Sequence, residues 1–301
     1  MLESFKNKTK KGKYFNWDID EIGLQTNDGA HIENHKAIRR NDDYSILGVV
    51  KSSYTSIHNY EVEDVATILE DVGCKYLDHG EFTNGQKIWI QFDNKLMPES
   101  DLGKNDQINS KILLATGHGG KMTFQLLSTL IRIVCMNTFH AALKNGDNMF
   151  TLRHTSKVKN RLEDVKLSIN QLAETTKHIL DNFERMSNTP YTGNEEKFFA
   201  NVLSYEKKPR PIRKKQNGVF KTVTWTSPSY SAIARDNMKI LKECHATSGA
   251  EGTQWGMFNA VTNYVDHQVN SRKDDYSWFG SGQTIKQIAY NTLNKERLAQ
   301  R

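Results

Sequence analysis

The chain has 301 residues, 41 of them Lys or Arg and 35 Asp or Glu, which gives a net charge of +6 and a pI of about 9.0. With 37% hydrophobic and 25% charged residues it is too apolar to be disordered throughout. No run reaches the roughly 18 apolar residues of a membrane span; the nearest, residues 126–136, is short and broken by Arg132.

Residues 1–42 are polar, and Lys6, Lys8, Lys10, Lys11 and Lys13 mark them as a basic arm. Met1-Leu2-Glu3-Ser4-Phe5-Lys6 offers no apolar signal-peptide core. Cys74, Cys135 and Cys244 are odd in number and far apart, so no disulfide framework is expected and a reducing cytoplasm is the expected setting.

Order is expected from Tyr44. The β-forming run 44–50 predicts a strand, and Val62, Val65, Ile68, Leu69 and Val72 fall at helical spacing before Gly73. Two strand-like runs, 74–82 and 86–92, flank Asn84-Gly85, which accepts positive φ and predicts a hairpin. A second hairpin is expected from 111–116 and 121–127 around Gly117-His118-Gly119-Gly120, and a helix over 129–143, ended by Asn145-Gly146. Residues 43–150 thus read as a β-rich core.

Residues 151–301 read as mainly helical, packed on that core. A long amphipathic helix is expected over 161–185, on the stripe Leu162, Val165, Ile169, Leu172, Ile179 and Phe183. Shorter helices are expected over 195–203, 230–245, 253–269 and 283–299. Pro209, Pro211, Gly218 and Pro228 make 207–229 an irregular or hairpin-like connection. The expected fold class is α+β, with an antiparallel sheet and flanking helices in the N-terminal half and a helical C-terminal half.

The most distinctive chemistry lies in residues 207–235. Lys207, Lys208, Arg210, Arg213, Lys214, Lys215, Lys221 and Arg235 stand there without one Asp or Glu, alternating with Phe220, Trp225 and Tyr230. Cations that track a phosphate backbone, interleaved with rings that stack on bases, are what single-strand binding requires. Arg153-His154-Thr155-Ser156-Lys157 forms a second basic group, and Arg132 inside an apolar run needs an anion, a carboxylate or a phosphate.

Enzyme signatures are incomplete. The Gly117-His118-Gly119-Gly120-Lys121 loop lacks the spacer and the Lys-Ser/Thr ending of a phosphate loop, and His31-Ile32-Glu33 lacks the paired cysteines of a zinc deaminase. Cys135 near His140 reads as a small core residue. Asp266-His267 lacks a third partner by spacing. No motif calls for a cofactor or a metal.

Arg132-Ile133-Val134-Cys135-Met136-Asn137-Thr138, followed by Ala141-Ala142-Leu143, resembles the Arg-x-Val-Cys-x-Asn-Thr-Leu core of the family called domain of unknown function 932, with Phe139 where the family has Leu. Asn259-Ala260-Val261-Thr262-Asn263-Tyr264-Val265-Asp266-His267 is similar to its Asn-Ala-x-x-x-Tyr-x-Asp-His segment, and Arg153-His154 matches the basic-His pair between them. The resemblance covers about residues 44–290. It implies a phage or plasmid setting and the business of DNA replication, recombination or counter-defence, and brings no catalytic residues.

The leading expectation is a phage or mobile-element DNA-metabolism protein that binds single-stranded DNA and anneals strands as a homo-oligomeric ring or filament. Arg132, Arg153, Lys157, Lys207, Lys208, Arg210, Arg213, Lys214 and Lys215 would hold phosphates, and Trp225 and Trp255 would stack bases. The rival is a metal-dependent enzyme acting on nucleic acid or nucleotides, with His154, Asp266 and His267 in one pocket. A third reading is a counter-defence protein that binds a host factor.

Overall fold

The computed structural model describes residues 12–93, 97–102, 106–132, 137–141, 150–155, 165–216, 219–269 and 273–299. Lys6, Lys8, Lys10, Lys11, Cys135, Asn145, Gly146, Lys157 and Leu162 lie outside the described residues. The chain divides into two compact units: residues 1–99, 109–130 and 140–179, and residues 100–108, 131–139 and 180–301. Antiparallel strands dominate the N-terminal half and helices the C-terminal half, so the fold is α+β.

In the first unit, β1 (Ile19–Gln25), β2 (His31–Arg40) and β3 (Ile46–Lys51) form an antiparallel sheet in that order. Helix α1 (Asn59–Asp71) turns Val62, Val65 and Leu69 into the core, and Glu61 returns a carboxylate to the His58 N–H at its start. A second sheet comprises β4 (Lys75–Phe82), β5 (Lys87–Asp93), β6 (Ser100–Asp101), β7 (Gln107–Gly117), β8 (Phe124–Arg132), β9 (Asn137–Ala141) and β10 (Phe150–Leu152). Its order is β10-β8-β7-β5-β4, with β6 on β7 and β9 on β8. The β4–β5 turn confirms the Asn-Gly reading: Thr83, Asn84 and Gly85 all have positive φ. Along β5, Ile88, Ile90 and Phe92 are fully buried at period two.

Order begins earlier than the composition suggests. The Glu63 carboxylate accepts the backbone N–H groups of Lys13, Tyr14 and Phe15 at 2.8–2.9 Å, and Trp17 is buried beneath the Arg40 guanidinium, 3.9 Å from its ring centroid. Residues 12–42 are therefore part of the sheet fold rather than an arm. Their apolar signal is weak because residues 23–35, the projecting end of the β1–β2 hairpin, are almost all exposed.

The helix expected over 129–143 is not formed: the chain there is β8 and β9. A short apolar run with β-branched Thr129 and Ile131 is ambiguous between helix and buried strand, and pairing within the sheet decides it.

In the second unit, the C-terminal part of α2 (Val165–Asn188) is followed by α3 (Glu195–Val202), β11 (Pro211–Gln216), β12 (Val219–Trp225), α4 (Ala232–Ala246) and α5 (Gln254–Asn263). A π-helical turn (Tyr264–Gln268), α6 (Lys273–Phe279) and α7 (Ser281–Ala299) complete it. Asn194, Ser231 and Thr253 cap α3, α4 and α5 by accepting from N–H groups of the first turn. Phe183, Trp255, Phe258 and Tyr290 pack ring to ring at 4.7–6.1 Å. No helix among the described residues is long and apolar enough to cross a membrane.

Candidate nucleic-acid interface

Strands β11 and β12 form a two-stranded antiparallel ribbon that makes no other sheet pairing. Hydrogen bonds between Lys208 and Ser229, and from the Thr226 N–H to the Arg210 carbonyl, carry the pairing down to its base. The side chains described along it are exposed, with Ile212 at 40%, Val219 at 61%, Phe220 at 64% and Trp225 at 60%. A lone hairpin is marginal in water, and exposed rings on one need a partner.

The register decides how the ribbon is faced. Pro211 pairs with Trp225, Ile212 with Thr224, then Arg213 with Thr222, Lys214 with Lys221 and Lys215 with Phe220. One residue of β12, Val223, is passed over, so β12 is bulged while β11 alternates regularly. Cross-strand partners share a face. Arg213, Lys215, Phe220 and Trp225 therefore stand on one side, although the two aromatics are five residues apart and an unbroken strand would set them on opposite sides. The levels of Trp225 and Phe220 are separated by four residues of β11, or about 13 Å. The other face carries Ile212, Lys214, Val219 and Thr224.

Charge on the ribbon is uncompensated at its middle. Lys207 lies 3.8 Å from Glu196 and over the Tyr230 ring, Lys208 lies 3.4 Å from Glu206, and Arg235 donates to the Tyr230 carbonyl. Arg210, Arg213, Lys214 and Lys215 have no carboxylate partner among the described residues.

The remaining expected contacts fall elsewhere. Arg132 is buried in the second unit, where Nε and Nη2 donate to the two Asp106 oxygens at 2.5 and 2.6 Å and Nη2 also reaches the Ser248 carbonyl. Its anion is thus a carboxylate, and its guanidinium is engaged rather than offered to a phosphate. Trp255, expected to stack bases, is 2% exposed; its indole N–H donates to Asp106 and its ring packs on Phe183 and Phe258. It is a core residue because it starts α5 on the buried side. The Asp106–Arg132 pair and Trp255 border a cleft of about 610 Å³ closed by the loop from Thr247 to Thr253.

Arg153 is exposed at the end of β10 in the first unit. His154 beside it is buried and stacks on Tyr54 at 4.8 Å; Nδ1 faces the Thr55 carbonyl and Nε2 the Thr116 hydroxyl. Burial pushes its pKa down to about 4. In the second unit Asp266 sits in the π-helical turn, bonded to Ser277 and, at 2.5 Å, to the fully buried Lys286 Nζ, while His267 is exposed. His154 and the Asp266-His267 pair thus belong to different units, and no cluster of three or more metal-ligating side chains exists among the described residues. The Gly-rich loop after β7 is no phosphate cradle either. A Cβ on Gly119 would stand 2.9 Å from the Leu47 carbonyl, and one on Gly120 2.8 Å from Val50. The loop is pressed against β3.

A family model described as Domain of unknown function (DUF932) matches residues 46–284. The chain belongs to this family. No curated protein and no solved structure matches it. The ribbon, the Asp106–Arg132 pair, His154 and the Asp266 cluster all lie inside the DUF932 region. The segment that resembles the family's Asn-to-His motif, residues 259–267, crosses from α5 into the π-helical turn, with the Asn259 amide donating to the Trp255 carbonyl. Asn259 and Asp266, two of its polar residues, hold the helical unit together.

Proposed function

We propose that this DUF932 protein binds single-stranded DNA through the β11–β12 ribbon, as a DNA-metabolism protein of a phage or mobile element working in the cytoplasm of a bacterial host. The observation that carries the reading is the shared face of Arg213, Lys215, Phe220 and Trp225, created by the bulge in β12. Two exposed rings give stacking platforms worth about 1–3 kcal/mol per base, with no demand on sequence. Arg210, Arg213 and Lys215, free of internal carboxylates, supply phosphate contacts whose strength comes from counterion release. No bond is made or broken, and no cofactor takes part.

Fluorescence anisotropy with a labelled single-stranded oligonucleotide over a salt series tests this. Affinity falls steeply with salt, and replacing Arg213, Lys214 and Lys215 by alanine lowers the slope of log K against log salt by about 2, at roughly 0.7 per lost contact. Trp225→Ala weakens binding at every salt concentration and leaves that slope in place. An unchanged slope in the triple variant removes the ribbon from the interface. Absence of binding by the parent protein at micromolar concentration overturns the reading and turns attention to a complex with a host protein.

A further inference from the structure

Because the side chains of a strand alternate, three consecutive cations in β11 cannot all serve one face. Arg213 and Lys215 accompany the rings, and Lys214 stands on the opposite side with Ile212, Val219 and Thr224. That side is open too: Ile212 and Val219 are exposed, and Lys214 has no carboxylate partner among the described residues. The ribbon is therefore a thin blade with cationic charge on both faces, each accessible to a polyanion. A single extended strand occupies only one of them.

We infer that the ligand of the ribbon is a forked DNA, a duplex that opens into two unpaired arms, with the blade between the arms. This inference rests on the single-strand reading above and extends it to the second face. One arm lies on the ring-bearing face, its bases on Phe220 and Trp225 and its phosphates on Arg213 and Lys215. The other arm passes the back face, its phosphates on Lys214 and its sugar edges on Ile212 and Val219. The arms meet and pair beyond the tip of the ribbon. The difference between the faces is chemical: the front holds bases and backbone, the back holds backbone with no ring to stack on. A protein that accepts both arms stabilises the point at which complementary strands zip together, which supplies a geometry for strand annealing.

The test compares three labelled DNAs carrying equal numbers of phosphates: a single strand, a blunt duplex and a fork with two non-complementary arms. Engagement of both faces raises affinity through effective concentration, so the fork binds at least about tenfold more tightly than the single strand. Lys214→Glu reduces fork binding to the level of the single strand and leaves single-strand affinity within about twofold, whereas Phe220→Ala with Trp225→Ala weakens both ligands. Lys214→Gln gives the same ranking with a smaller effect. All these side chains are exposed, and equal thermal midpoints confirm that the variants are folded. A fork that binds no better than the single strand, or Lys214→Glu weakening both ligands equally, overturns the two-faced blade while leaving the single-strand reading intact. Loss of all DNA binding by the parent protein overturns both.

Discussion

His118 shows what a single buried side chain costs. It lies 1% exposed, edge-on to Trp17 at 5.6 Å, and neither ring nitrogen has a hydrogen-bond partner. Burial pushes its pKa down to about 3, with Arg40, His58 and His154 opposing its charge and Asp18 favouring it. His154 is pushed down to about 4, again by burial. Histidine in an unfolded chain titrates near 6.5. Between that value and the folded one the unfolded chain binds a proton that the fold refuses, so stability is complete above about pH 6.5 and falls as pH drops. Each histidine removes about 2 kcal/mol between pH 7 and 5. Urea denaturation of the full chain across that range checks this, with Trp17 fluorescence as reporter. His118→Leu makes the fall with pH shallower by about one proton and costs little at pH 7, since the lost group was unsatisfied. An unchanged pH slope in that variant assigns the acid sensitivity elsewhere.

Element by element, the chain is legible wherever local chemistry and tertiary context agree. The Asn84-Gly85 turn, the period-two run of β5 and the apolar stripe of α1 all declare themselves. The β1–β2 hairpin does not, because most of its residues face water, and neither does the strand at 129–132, whose short apolar run also suits a buried helix. In the ribbon, composition points to nucleic acid, while the face on which each ring stands depends on the one-residue bulge, a feature of pairing rather than of either strand alone. Trp225 and Trp255 are alike in composition and opposite in placement, one 60% and the other 2% exposed. The bulge gives an element-scale prediction. Exchanging Thr224 and Trp225 leaves composition and charge unchanged but moves the ring to the face of Ile212 and Lys214. Single-strand affinity then falls as far as in Trp225→Ala, and parental affinity in the exchanged variant refutes the shared-face geometry.

For the whole molecule, the ribbon segment decides the sign of the charge. Residues 207–235 hold eight of the 41 basic side chains and none of the 35 acidic ones, which leaves 33 basic against 35 acidic in the rest of the chain. The net +6 is therefore a property of one tenth of the sequence, and steering of a polyanion is directed there rather than spread over the surface. The described side chains of β11 and β12 are exposed, so the ribbon contributes little to the core that holds its unit together. Function and stability are thus separable. Replacing residues 210–226 by a short Gly-Ser loop is compatible with the Lys208–Ser229 pairing that closes the base, and it removes Arg210, Arg213, Lys214, Lys215 and Lys221. The shortened chain keeps its far-ultraviolet circular dichroism apart from the lost strands and its thermal midpoint to within about 2 °C, because an exposed hairpin adds only marginal stability. It no longer binds DNA at moderate salt. A midpoint lowered by about 5 °C or more would make the ribbon a structural element. A shortened chain that still binds DNA with the parental salt slope would place the interface on the remaining surface.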